Sequence, residues 1–336
     1  MDDRAVVRHP TTGPEWAAFH EALSSVEGSE TPSQMELEAE CAARRWVAIA
    51  VPVASGDGAA LCGAALLQTL YSTWTGPYLW LSAVWAADDA SAATLLAAAK
   101  LLAAPLKWSR VQWYGNSTAL PPALTDADVA SRSPSAALPQ WLSLDLDICG
   151  AASTGAQFAA AAASKAAAVG ITLRAAERED MAFVLQQIHE LAVFEREPDA
   201  VDVSLAQMLN WGGFDCDTVE SKDAPQPPLF RVFVAALDGT GAVAFALVSP
   251  MFDPVHGSAV YLEDLYVDPA ARGKGVGSAL IARCIRYAAE EGAARLRWMC
   301  LDWNSAALDF YTANVGVVDT GLQLRRVSRA ERAGRP

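Results

Sequence analysis

Apolar residues in this chain recur with two periods, and the switches between them divide it into elements. Ile171 to Ala175 reads as a short strand, and from Glu177 to Phe194 the residues Val184, Leu185, Ile188 and Leu191 fall at helical spacing. Val203 to Leu209 predicts a second, shorter helix. Phe230 to Leu237 and Ala242 to Ser249 are β-rich runs separated by Asp238-Gly239-Thr240-Gly241, a hairpin signal. A further strand runs from Ala259 to Val267 and ends at Asp268-Pro269. Beyond a glycine-rich turn, Val276 to Glu291 is a helix with Leu280, Ile281 and Ile285 inward, stopped by Gly292. Arg295 to Leu301 is again a strand and leads into a helix from about Ser305 to Ala313.

The first half repeats this plan. Trp46 to Pro52 and Ala60 to Leu70 flank Gly56-Asp57-Gly58 as a hairpin, and Tyr78 to Trp85 corresponds to Tyr261 to Val267. Ala90 to Ala104 is a helix, and the strand Val111 to Tyr114 reaches Gly115-Asn116-Ser117, similar to Trp303-Asn304-Ser305. The pattern predicts a mixed α/β protein made by tandem duplication. Residues 1–149 form the first unit, 150–170 an Ala-, Ser- and Gly-rich connector, and 171–330 the second unit.

Composition narrows the classes. With 52% hydrophobic and 19% charged residues the 336-residue chain has the make-up of a folded globular protein. A net charge of −14 without a long basic run disfavours nucleic acid and favours cationic partners. The six cysteines include no CxxC pair and read as reduced thiols, while the four histidines lack metal-ligand spacing, so no metal is expected. The chain starts Met1-Asp2-Asp3, and no uninterrupted apolar run of about 18 residues follows. No membrane span is expected, and the cytoplasm is the expected location.

The turn Arg272-Gly273-Lys274-Gly275-Val276-Gly277 places three glycines and two cations where a strand hands over to a helix. Glycines let the backbone approach a pyrophosphate, and the free N–H groups and dipole of the helix favour negative charge. A plain tight turn would look similar. The two cations in an otherwise acidic chain favour the anion-binding reading.

Together with other motifs, this turn resembles the GCN5-related N-acetyltransferase family, in particular its spermidine/spermine and thialysine acetyltransferase branch. The motifs, in order, are Phe194-Glu195 with Glu197-Pro198-Asp199, then Tyr261-Leu262-Glu263-Asp264-Leu265-Tyr266-Val267 before the loop, then Asp302-Trp303-Asn304 followed by Phe310-Tyr311. The resemblance implies acyl-CoA N-acyltransferase folds in tandem, each a twisted mixed sheet flanked by helices, with acetyl-CoA as cosubstrate. It implies that the Leu265-Tyr266-Val267 backbone pairs with the pantetheine arm. The segment Arg272, Gly273, Lys274, Gly275, Val276, Gly277 and Ser278 would hold the pyrophosphate, with Asn304 also on the cofactor. Tyr311 is then the general acid and Glu263 the base through a water. Phe194, Glu195, Glu263 and Asp264 would contact a small cationic amine: a polyamine, a diamine or a lysine-like amino acid. Acetylation of a protein or peptide lysine is the alternative enzyme reading, and a non-catalytic acetyl-CoA sensor or scaffold is the alternative class.

The sequence also departs from the family. Phe194 stands where polyamine enzymes often have Tyr, Ser305-Ala306 replaces a common Glu-Pro, Thr312 to Val315 lacks the usual basic residues, and Ser221 to Pro228 is an insert. In the first half Asp88-Asp89-Ala90-Ser91-Ala92-Ala93 occupies the cofactor-loop position, and Ser82-Ala83 stands opposite Glu263-Asp264. Two carboxylates and no glycine predict that this copy does not bind CoA. Eight of the eleven tryptophans lie in this half. Because family members are commonly homodimers, the first copy is expected to take the second protomer's place in a monomeric pseudo-dimer.

Overall fold

The computed structural model describes residues 9–25, 33–42, 46–53, 60–103, 110–115, 141–148, 153–214, 228–237, 241–253, 257–315 and 318–328. The first half contains α1 (Gly13–Ser24), α2 (Gln34–Ala42), β1 (Trp46–Pro52), β2 (Leu61–Ser72), β3 (Gly76–Ala86), α3 (Asp89–Ala103), β4 (Arg110–Gly115) and β5 (Trp141–Asp147). After α4 (Thr154–Ala168) the second half runs β6 (Ile171–Ala175), α5 (Met181–Phe194), α6 (Leu205–Trp211), β7 (Arg231–Leu237), β8 (Ala242–Asp253), β9 (Gly257–Val267), α7 (Val276–Glu290), β10 (Arg295–Leu301), α8 (Ser305–Asp309) and β11 (Val318–Ser328). The expected strands and helices of both halves are present, with β8 extended to Asp253 and the final helix cut short at Asp309 by a π-helical turn over Phe310–Val315. The repeat residues Gly56 to Gly58, Asn116 and Ser117, and most of the 221–228 insert, lie outside the described residues.

All eleven strands form one sheet in the order β1-β2-β3-β4-β11-β5-β10-β9-β8-β7-β6. Apart from β6 the order is palindromic: β1, β2, β3, β4 and β5 of the first half correspond to β7, β8, β9, β10 and β11 of the second. The last strand of each half pairs with the other half. β5 runs antiparallel to β10, with Arg297 opposite Asp145, and β11 runs antiparallel to β4. Hydrogen bonding therefore does not separate the two halves.

The connector at 150–170 carries α4. Ser153 caps it by accepting from the Ala156 N–H at 3.1 Å, and its buried Ala159, Ala162 and Ala166 lie in the same core as Ala279, Leu280 and Ala282 of α7. Small side chains permit this close helix approach. The two sheet faces carry further cores: α3 covers β1 to β3 through Leu95 and Ala99, and α1 and α2 cover the opposite face through Phe19, Leu23 and Leu37.

Two long hairpins also cross between the halves. The β2–β3 tip of the first half enters the second-half core, where Tyr71 is fully buried with its ring 4.3 Å from Phe230 and 5.7 Å from Trp211. Gly76, at the foot of this tip, has φ +78°, and an added Cβ would meet Trp211 at 2.8 Å. In return Phe252 of β8 lies 4.7 Å from Trp46 in the first-half core. The buried Gln68 amide clamps that residue, donating to Phe252 O at 2.9 Å and accepting from its N–H at 2.8 Å. Among the described residues no helix is long and apolar enough to cross a membrane.

Candidate active site

The site is built where β9 and β10 part. Their parallel pairing joins Ala259–Leu262 to Arg295–Trp298 and stops there. At the same point β9 carries a bulge: Val248 opposes Leu262 while Leu247 opposes Asp264, so Glu263 is the extra residue. A bulge shifts the alternation of side chains by one. Leu262, Leu265 and Val267 accordingly all pack on the α7 side, while Tyr266 packs on the α5 side against Phe245. On the edge turned away from β8, the backbone of Glu263 to Val267 thus faces an opening rather than a partner strand. The first half keeps the same device, with Leu67 opposite Leu81 and Leu66 opposite Ala83, which makes Ser82 the counterpart of Glu263.

Following β9, Asp268 accepts from Ala270 N–H at 2.8 Å, and the Arg272 Nε donates to Val267 O at 3.0 Å, folding the loop back on the strand end. Gly273 and Gly275 have φ +74° and +85°, left-handed conformations that disfavour any residue with a Cβ. Gly275 is the N-cap of α7 and makes no side-chain capping bond. The loop residues Arg272 to Gly275 are exposed, and Gly277 and Ser278 half-buried. The first turn of α7 therefore presents backbone N–H groups without an internal carboxylate to satisfy them. The counterpart in the first half is closed: Asp88 Oδ1 accepts from the Ser91 N–H at 2.7 Å, and this bond holds the exposed Asp88 carboxyl below its ordinary value.

A cavity of about 170 Å³ opens beside the bulge. Glu195, Glu263, Asp264, Leu265, Asn304 and Tyr311 from the sequence-selected residues line it together, with Leu191, Trp298 and Cys300. Among the described residues every charged side chain in its wall is acidic. Phe194, Tyr266, Val267 and residues 272–278 do not line it; Phe194 points to solvent, 46% exposed, at the rim. Asn304 caps α8, its Oδ1 accepting from Ala307 N–H at 3.3 Å.

Four lining residues come from the first half: Ser72, Thr73 and Trp74 of the β2–β3 tip, and Gln112 of β4. Local sequence motifs could not find them, because the hairpin and strand exchanges that bring them here are long-range. The tip also holds the acidic segment after α5, since Asp202 N–H donates to Trp74 O at 2.7 Å.

The electrostatics follow from burial of like charges. Burial first, then the charges of Asp264 and Glu263, pushes the Glu195 carboxyl up to about 8. Burial alone lifts Asp264 to about 6, partly offset by the Thr73 hydroxyl, which faces the carboxylate without a hydrogen bond of full geometry. Asp264 Oδ2, Thr73 Oγ1 and Trp298 Nε1 are buried polar atoms without a protein partner, each on a residue that lines the cavity. Such atoms cost about 1–3 kcal/mol each unless something else satisfies them. Tyr311 sits in the π-helical turn, edge-on to Trp298 at 5.0 Å. Burial, then Cys300, Cys284, Asp264 and Glu195, raises its phenol above the ordinary value of 10.0. Cys300 is itself pushed up to about 12 by burial and Glu195, so it is a neutral thiol.

At the rim, Arg196 follows the C-cap of α5 in the left-handed region with φ 67°. Glu197 N–H donates back to Ala192 O at 2.9 Å, the closing bond of a helix end whose left-handed position is usually glycine. A non-glycine residue held there costs on the order of 1–3 kcal/mol. Its guanidinium carbon lies 4.5 Å over the Trp303 ring, which also packs on Phe194 at 5.6 Å.

The profile of the Acetyltransferase (GNAT) family matches residues 186–317. Thialysine N-epsilon-acetyltransferase of Bos taurus is 33% identical over 149 residues, 43% of this chain and 82% of that protein. Spermidine/spermine N(1)-acetyltransferase-like protein 1 of Homo sapiens is 30% identical over 169 residues, 47% of this chain and 23% of that protein. A solved tandem GNAT protein from the clavulanic acid biosynthesis pathway aligns over 98% of this chain and all of its own, at 13% identity and a TM-score of 0.47. With a relative this similar matched over most of its length, and the family profile spanning the strand, loop and helix that carry the site, the chain belongs to the GNAT acetyltransferase family and is an acyltransferase.

Proposed function

We propose that the protein transfers an acetyl group from acetyl-CoA directly to a primary amine of a small cationic substrate. The observation that carries this reading is the acidic cavity at the bulge of β9, which joins Glu195, Glu263 and Asp264 to Tyr311 in one wall. The residues fit acetyl-CoA: the open edge of Glu263 to Val267 offers backbone groups to an extended amide-bearing arm, and the uncapped start of α7 with Arg272 and Lys274 suits a pyrophosphate. Bound there, acetyl-CoA supplies an activated thioester.

The residues of the chain do the rest. An alkylammonium has a pKa near 10.4, so at neutral pH it must lose a proton before its lone pair can attack. The ionised carboxylates of the wall attract the ammonium, whose charge in turn favours ionisation of Glu195, and Glu263 accepts the ammonium proton through a water. The Tyr311 phenol, protonated throughout the neutral range because burial raises it, donates to the departing sulfur. No nucleophilic side chain is required, in keeping with the neutral Cys300 thiol. The first half contributes a wall of the amine site through Thr73 and Trp74 and no cofactor loop of its own, which supports its place as the stand-in for a second protomer.

Release of free CoA from acetyl-CoA tests the reading, with spermidine, putrescine, thialysine, ornithine and a lysine peptide as acceptors. Turnover of small amines is expected. Turnover of the peptide alone would favour the protein-lysine alternative, and acetyl-CoA binding with no turnover would favour a sensor or scaffold.

A further inference from the structure

We infer that Arg196 recognises the carboxylate of an amino-acid substrate, so that the site selects ω-amino amino acids over diamines and polyamines. The inference rests on the acetyl-transfer reading above and narrows its substrate class. Three observations at the rim carry it.

The first is placement. Arg196 adjoins Glu195, and its guanidinium lies over Trp303, the neighbour of Asn304. Glu195 and Asn304 both line the cavity, while Phe194 and Arg196 are exposed. The stack therefore ties the exposed neighbours of two lining residues, Glu195 and Asn304, to each other.

The second is conformation. Among the described residues Arg196 is the one non-glycine residue with positive φ. Its position is one that glycine fills without strain, and a strained residue retained beside a site points to use of its side chain.

The third is charge. The charged side chains described in the cavity wall are all acidic, so the interior suits an ammonium but rejects an acid group. A substrate with an amine at one end and a carboxylate at the other needs a cation at the mouth, where a diamine would be repelled by one. Arg196 meets that need: although Glu197 and Asp199 share its segment, no described carboxylate pairs with it. Stacking on Trp303 fixes the guanidinium plane while its N–H fork remains available to grip a carboxylate at two points.

The test compares kcat/KM for ornithine and lysine with putrescine and cadaverine, the same chains without the carboxylate, in wild type, Arg196→Gly and Arg196→Lys. Glycine accepts the left-handed backbone, so the turn is kept while the charge is lost. The wild type is expected to prefer the amino acids, Arg196→Gly to reduce that preference about ten-fold through KM rather than kcat, and Arg196→Lys to restore part of it. Preference within two-fold of wild type in Arg196→Gly, or wild-type preference for the diamines, would overturn the role of Arg196 while leaving acetyl transfer standing. Absence of turnover with all four amines would overturn both.

Discussion

Replacing Asp145 by Asn tests whether the two halves fold as one body. Asp145 on β5 and Arg297 on β10 face each other across the exchanged strand pair, joined at 2.7 Å with side chains 6% and 1% exposed. In Asp145→Asn the guanidinium stays buried but loses the charge of its partner at 2.7 Å, and breaking a buried pair in this way costs about 3–5 kcal/mol. That is a large part of the roughly 5–15 kcal/mol by which a folded protein is stable. Replacing both partners by apolar residues, Asp145→Leu with Arg297→Met, removes the desolvation cost as well, and the double variant is expected to lie within about 1 kcal/mol of wild type or above it. Equilibrium urea unfolding followed by both tryptophan fluorescence and far-UV circular dichroism reads the effect. A single coincident transition, shifted to lower urea with unchanged slope in Asp145→Asn, is expected. A loss below about 1 kcal/mol, or two transitions of which one alone moves, would refute the reasoning.

Other outcomes follow from the site. Because the folded-state values of Glu195 (about 8, from 4.5) and Asp264 (about 6, from 3.8) are raised, the native state holds these protons more tightly than the unfolded chain. Stability should therefore fall as pH rises from about 4 towards 8 through these groups, and thermal unfolding of Glu195→Gln across that range should show a flatter decline. In Gly275→Val the left-handed φ of +85° is lost or strained, and calorimetric affinity for acetyl-CoA should drop about ten-fold. Light scattering should give a mass near 35.5 kDa if the first half stands in for a second protomer, as proposed; a tight dimer through the second halves would contradict that.

The second half was legible because its signals are local. Loop glycines report backbone conformation directly, and the strand Tyr261 to Val267, the Asn304 cap and Tyr311 keep their spacing in sequence. The match of Ser82 to Glu263 could also be read from the repeat, and both turn out to be the bulged residue of their strand. What escaped is what depends on distant partners. β5 and β11 gave no clear strand signal, yet they exchange between halves and fix the sheet. The exchange and the crossing hairpins bring Thr73, Trp74 and Gln112 to the cavity, and no local pattern marks them. The alanine-rich stretch after Gly150 has few large apolar side chains beyond Phe158, but small ones let α4 pack closely on α7. The left-handed backbone that singles out Arg196 is invisible in the letters.

The most direct test of the account is the pH–rate profile of acetyl transfer to ornithine in wild type, Tyr311→Phe and Glu263→Gln, with acetyl-CoA affinity measured alongside. The account predicts that both variants bind acetyl-CoA with near wild-type affinity and lose about 10²–10⁴-fold in kcat, the share expected of a general acid or base. Wild-type rates in Tyr311→Phe and Glu263→Gln would contradict it.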